Sequence, residues 1–333
     1  MEAATQFQPS QGTSIADLSS TSRSVTSSPT KGVVKTYELD GPEDVLSDSL
    51  QTLYNFLPVT YASAGASYTY SQSASSLSGP IEINLETPDT DAANWSLHAS
   101  SIWIASVQLA SGVDLLRIDQ HLRRIGAGSG GSAVCASRQL KVLELGASAG
   151  LPSILIAKIF PETVSVVASD YPDPHIMHTL AQNIRNNDVN AKCHAMPYDW
   201  GSDPNSLFSL VNIDAEDTGF DVIIAADTLW NSDYHSDFVN ALQQTLRKDS
   251  NSRVHLVAGL HTGRYTIDSF LRLVARAGFR IIEAVERRVE NGECISAVQT
   301  RAWDVTRAEH EDENDRRRWV VWIEICWEES WIL

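Results

Sequence analysis

Five short stretches carry residue types that could do chemistry. The first is Gly146-Ala147-Ser148-Ala149-Gly150, a turn of small residues that follows the apolar run Val142-Leu143-Glu144-Leu145. Glycine there permits a sharp turn and a close backbone approach to a ligand. The second is Asp170, which ends a second apolar run, Val164-Ser165-Val166-Val167-Ala168. A carboxylate only accepts hydrogen bonds, so at a strand end it can take both hydroxyls of a ribose. Its competing role is a helix cap, suggested by the following Pro172-Asp173-Pro174. The third is Tyr198-Asp199-Trp200-Gly201, where Trp200 could pack on an adenine ring and Asp199 accept from its exocyclic amine. Trp200 could equally be a loop aromatic that covers the core. The fourth is Asp227, again an acid at the end of an apolar run, followed by Thr228-Leu229-Trp230. The fifth is His261, in Gly259-Leu260-His261-Thr262-Gly263, which either lines a pocket or is a loop histidine without a role.

Two chemistries compete for these residues. Strand, tight turn, helix, strand and acid in that order describe a unit that holds a nucleoside-bearing cofactor over the ends of parallel strands. The turn is tighter than the dinucleotide fingerprint, GxSxG rather than GxGxxG, which suits a cofactor without a pyrophosphate. The same five residues literally spell the nucleophile elbow of a serine hydrolase. Ser148 with Asp227 and His261 downstream follows the chain order of an α/β-hydrolase triad.

The elements that must position these residues alternate. Residues 142–145, 164–168, 191–195, 220–226 and 254–260 read as strands, and 151–160, 174–187, 234–246 and 267–277 as helices. Alternation of this kind implies a parallel sheet with right-handed crossovers and helices on both faces. Residues 279–289 and 319–327 are two further strands with no helix between them, so the last strand must run antiparallel. Upstream, apolar spacing predicts a helix over 41–57, a strand pair at 67–70 and 81–85, and a helix over 97–116 that packs on the sheet. Residues 126–132 and 196–218 read as loops, and 309–318 as a solvated charge run.

The expected organisation is a Ser/Thr-rich disordered tail over 1–38, an extension with helix and strand pair over 39–137, and an α/β core over 138–333. A formal net charge of −17 disfavours nucleic acid, whose phosphates need Lys and Arg. The four cysteines, Cys135, Cys193, Cys294 and Cys326, form no CxxC pair, so neither a metal site nor a disulfide framework is expected. No apolar run approaches the ~20 residues of a membrane span, and no secretory signal is evident. The expectation is a chain free of membranes, located in the cytoplasm or also in the nucleus.

VLELGASAGLPS, SDYPDP, YDWG and FDVIIAADTLWN resemble the seven-stranded S-adenosylmethionine-dependent methyltransferases that modify lysines of cytosolic proteins. More narrowly they resemble the fungal elongation-factor methyltransferases of the nicotinamide N-methyltransferase-like branch. The resemblance covers roughly residues 95–279. It implies a Rossmann-like seven-stranded sheet with an antiparallel final strand, and S-adenosylmethionine as cofactor. By position it implies that Trp103 packs beside the cofactor from the helix before the core. It places Gly146, Ala147 and Ser148 around the methionine moiety, Asp170 at the ribose, and Trp200 at the adenine. It sets the Ala226 backbone facing the cofactor, and Asp227 and Trp230 beside the channel for the substrate lysine. Ser148 stands where many relatives have glycine, and Trp230 is larger than the usual Tyr or Phe. The implied acceptor is a lysine or N-terminal amine of a protein such as a translation elongation factor, with a monomeric enzyme. A small amine of the nicotinamide type, the hydrolase, and an inactive cofactor-binding module remain alternatives.

Overall fold

The computed structural model describes residues 60–74, 78–90, 92–127, 138–211, 219–289 and 299–332. The tail expected over 1–38 and the helix expected over 41–57 lie outside the described residues.

Ten strands are described. β1 (Ser67–Gln72) and β2 (Ile81–Glu86) form the expected antiparallel pair. The other eight are β3 (Leu140–Leu145), β4 (Val164–Asp170), β5 (Cys193–Pro197), β6 (Val222–Ala226), β7 (Arg253–Gly259), β8 (Phe279–Arg288), β9 (Thr300–Ala302) and β10 (Trp319–Trp327). They build one sheet in the order β5-β4-β3-β6-β7-β10-β8-β9. β5, β4, β3, β6 and β7 are parallel neighbours. β10 inserts antiparallel between β7 and β8, so the expected reversed final strand is present. The sheet departs from the expected seven strands by β9, which pairs antiparallel with residues 285–287 of β8. Three residues are too short a run to show a period of two, which is why β9 is not visible in the sequence.

Successive side chains of a strand point to opposite faces, and here they feed two separate cores. Val142, Val166, Ile224 and Val257 join one core with α1 (Ile104–Ser111), α3 (Leu151–Ile159) and α4 (Pro174–Asn186). Leu143, Val167, Ile223 and Leu256 join the other with α6 (His235–Thr245) and α7 (Arg264–Arg276). Every residue of β10 is buried, including Trp319, Trp322 and Trp327, as a strand covered on both faces requires.

Three expected boundaries shift. The helix expected over 97–116 is only α1, followed by a 3₁₀ turn at Val113–Leu116, because Gly112 ends the helix where the Trp322 ring leaves no room for a side chain. Of the loop expected at 126–132, residues 126 and 127 belong to α2 (Ile118–Ala127) and the rest lie outside the described residues. The segment expected to be a loop over 196–218 contains α5 (Asn205–Leu210), whose Leu207 is buried.

Asn183 of α4 and Asn187 at its C-cap tie the β1–β2 pair to the body. Asn183 accepts from the Glu86 amide at 2.9 Å and donates to the carbonyls of Glu86 and Ala149. Asn187 accepts from the Asn84 amide and donates to the Asn84 carbonyl. These side chains satisfy an edge of β2 as a neighbouring strand would, and Asn183 also anchors the small-residue turn.

The charge run after β9 is not simply solvated. Arg264, at the start of α7 and 0 % exposed, pairs with Glu286 and with Glu311, whose side chains are 0 % and 8 % exposed. Arg301 and Arg307 also reach Glu286. Arg264→Met would leave Glu286 and Glu311 buried with fewer partners. The expected cost is about 3 kcal/mol of unfolding free energy, read from urea midpoints at unchanged m-value.

Candidate functional site

Parallel strands that reverse order across β3 leave a crevice at their carboxyl ends. There the chain encloses a cavity of about 520 Å³. Its walls carry Trp103, Gly146, Ser148, Asp170, Trp200, Ala226, Asp227 and Trp230, which are eight of the nine residues expected. The exception is Ala147, which does not line it. Its amide is bonded to the Ser169 carbonyl at 2.9 Å and its side chain lies in the core, so it shapes the turn from behind.

The turn after β3 is built for close approach. Gly146 has φ +72°, and a Cβ there would come 2.9 Å from Thr228 Cγ2 and 3.6 Å from Trp200 Cζ2. Glu144 is buried beneath the turn and accepts from the amide and hydroxyl of Ser153 on α3. Burial pushes its carboxyl up to about 8 despite those two bonds.

Asp170 ends β4 and faces the cavity. The Ser148 amide donates to one oxygen at 2.6 Å and the Tyr171 amide to the other at 2.7 Å. Each oxygen keeps a second lone pair. Burial is the dominant effect on the group and raises it to about 6. The cap of α4 is Asp173 instead, which accepts from the amides of His175 and Ile176. The cap role open to Asp170 in the sequence therefore falls to Asp173.

Ser148 has φ 48°, and its hydroxyl donates to the Ala99 carbonyl at 2.5 Å rather than to an imidazole. A hydroxyl so engaged lacks the base that a hydrolase nucleophile needs. Three of the five described non-glycine residues with positive φ, His98, Ser148 and Asp227, line this one cavity. Such conformations cost about 1–3 kcal/mol each and concentrate where geometry serves a site.

Trp200 packs on Phe238 with ring centroids 4.6 Å apart and faces the cavity beside Gly146. Across from it lies an aromatic lobe. Trp103 is not within a helix as expected but caps the N-terminus of α1 in an extended conformation, its indole N–H held by the His98 carbonyl at 2.7 Å. His98 meets Trp230 edge-on at 4.9 Å, and Trp230 meets Tyr234 at 6.2 Å. His261 stacks on Trp103 at 5.3 Å and 12°.

Asp227 closes the floor of that lobe. Its Oδ1 accepts from the Gly259 amide at 2.6 Å, and its buried Oδ2 has no hydrogen-bond partner among the described residues. Burial raises its carboxyl, while His261 and the amides of Gly259 and Ala105 act in the opposite direction.

His98 and Tyr234 carried no signal in the sequence. His98 lies in an irregular segment, and Tyr234 reads as the first residue of the next helix. The neighbouring His235 does turn inward, bonding the Leu229 carbonyl and Ser269, and does not line the cavity.

Residues 90–276 match the protein-family model described as lysine methyltransferase, which is more than half of the chain. Among curated proteins, the chain is similar to the protein N-terminal and lysine N-methyltransferase of Schizosaccharomyces pombe, 28 % identical over 213 residues, covering 63 % of this chain and 74 % of that one. It is also similar to the protein of the same description from Emericella nidulans, 31 % identical over 158 residues, covering 45 % of this chain and 60 % of the relative's length. The matched region contains β3 to β7 and every residue that lines the cavity, and on that match the chain belongs to the lysine methyltransferase family.

Proposed function

We propose that this protein transfers a methyl group from S-adenosylmethionine to an amine nitrogen of another protein, a lysine side chain or an N-terminal amine. The observation that carries the reading is a single cavity with two unlike lobes. A carboxylate and Trp200 sit at one end, and a floor carboxyl under indole and imidazole rings at the other. The residues fit the cofactor. Asp170 retains lone pairs for the ribose hydroxyls, Trp200 offers a face to the adenine, and the bare Gly146 makes room at the turn. When bound, S-adenosylmethionine supplies an electrophilic methyl on a sulfonium, so the protein needs no covalent nucleophile.

The aromatic lobe suits an incoming ammonium. Indole faces attract a cation, Asp227 offers the unpartnered Oδ2 to one of its N–H groups, and exclusion of water favours the neutral amine that can react. A net charge of −17 favours a basic protein partner through long-range attraction. The acceptor we would test first is a translation elongation factor, in the cytoplasm or nucleus, with the enzyme acting as a monomer. Both lines of support also agree with what the two relatives' names state for those proteins. Titration calorimetry with S-adenosylmethionine tests the reading, which predicts one site per chain. Absence of binding at millimolar ligand would contradict it.

A further inference from the structure

Gly259 ends β7 with φ −70° and ψ 134°, a conformation open to any residue. Nothing in its backbone asks for glycine. What asks for glycine is the space, because a Cβ there would lie 2.2 Å from His261 Nδ1, 2.4 Å from its Cε1 and 3.2 Å from Asp227 Oδ1. The absence of that one carbon gives the imidazole its place over Gly259, on the side where the floor acid's Oδ1 also lies. On its other side the ring stacks on Trp103, so its plane is set. The next residues hold that loop in place. Thr262 donates to the Gly259 carbonyl, and Arg264 locks into Glu286 and Glu311.

We propose that His261 is the group that takes the proton from the acceptor ammonium, with Asp227 positioned to stabilise the imidazolium that results. This rests on the amine-methyltransferase reading above. An alkylammonium has no lone pair and cannot attack a methyl group. The nitrogen must first pass one proton to a base, and here that base is a ring nitrogen of His261. The neutral amine then forms its N–C bond as the S–CH3 bond breaks, and the sulfur keeps that bonding pair. The product leaves as a methylammonium, and the imidazolium returns its proton to water at the cavity mouth.

The other titratable groups on the cavity wall are His98, Asp170, Tyr171, Tyr198, Asp199 and Tyr234. None of them has the arrangement of His261. Asp170 is engaged by the two amides of its own turn. Tyr198 bonds the Ser202 carbonyl. His98 is exposed and meets the indoles only edge-on, where His261 stacks face to face on Trp103. Arg264, next along the chain, is committed to its carboxylates.

The test is the pH dependence of methyl transfer into the protein fraction of a fungal lysate, with tritiated-methyl S-adenosylmethionine at saturation. The unmodified protein should show an acid limb of unit slope between about pH 5 and 8. His261→Asn should abolish that limb and lower the rate at pH 7 by about 10²–10³-fold. The gap should close as pH approaches the acceptor's own pKa, about 8 for an N-terminal amine or about 10 for a lysine, because the amine then sheds its proton unaided. Gly259→Ala, which displaces the imidazole, should reproduce the profile of His261→Asn. Calorimetry with S-adenosylhomocysteine should show both variants still folded and binding. In Asp227→Asn the acid limb of the remaining transfer should move to lower pH. An acid limb that survives in His261→Asn, or vanishes instead in His98→Asn, would overturn the assignment, as would an acid limb indifferent to Asp227→Asn. Those results would leave the methyltransferase reading standing. No transfer by the unmodified protein at any pH would remove both.

Discussion

Asp170→Ala should abolish measurable S-adenosylmethionine binding by calorimetry under conditions where the unmodified chain saturates. Both oxygens of the carboxylate are oriented by backbone amides, from Ser148 and Tyr171. Each ribose hydroxyl bonded to a charged acceptor is worth about 1.5–3 kcal/mol, so loss of the pair predicts a hundredfold or greater weakening. Binding should also weaken as pH falls through about 6, where the buried Asp170 takes up a proton and loses acceptor capacity. The same burial has an opposite effect on stability. An acid whose folded pKa is raised from 3.8 to about 6 contributes stability that is present below 3.8 and lost as pH rises through 6. The melting temperature of the ligand-free protein should therefore fall as pH rises through 6, and Asp170→Asn should flatten that fall while losing ligand. An unchanged pH dependence together with intact binding would mean that Asp170 is a structural acid.

Asp227→Asn should leave S-adenosylmethionine binding within a few-fold of normal and lower the transfer rate at least a hundredfold. Asparagine tolerates the left-handed backbone at φ 52° and can still accept from the Gly259 amide. The substitution removes the negative charge from the floor of the aromatic lobe and little else. Loss of one electrostatic or proton-transfer partner in a water-excluded site costs about 10²–10⁴-fold. Trp230→Ala should show the complementary split, a raised KM for the protein acceptor with a smaller effect on turnover, because the indole forms a wall of the entrance between His98 and Tyr234. If Asp227→Asn instead lost ligand binding and retained turnover at saturation, the two lobes would have exchanged roles.

The sequence made the positions of strand ends legible, because Leu145, Asp170, Ala226 and Gly259 each close an apolar run that buries on both faces of the sheet. Residues at such ends converge on one crevice by topology alone, so Gly146, Asp170 and Asp227 could be named without coordinates. The reversed β10 was legible for the same reason, since two strands without a crossover helix must be antiparallel. What could not be read was whatever depends on irregular backbone. His98 reaches Trp230 through a segment with no period, and Trp103 belongs to the cap of α1 rather than to its body. The tie between β2 and α4 runs through Asn183 and Asn187, two polar residues on a helix face that looks merely soluble in sequence. Ser148 shows the limit most plainly. Its GxSxG spelling fits two chemistries, and only the bond from its hydroxyl to the Ala99 carbonyl separates them.

Purified protein is incubated with tritiated-methyl S-adenosylmethionine and a fungal lysate, and the label is followed into protein and small-molecule fractions. Label is expected in protein, released by hydrolysis as a methylated lysine or N-terminal amino acid, and lost with Asp227→Asn. Label confined to small molecules, or no transfer from a protein that binds S-adenosylmethionine, would contradict the amine-methyltransferase reading.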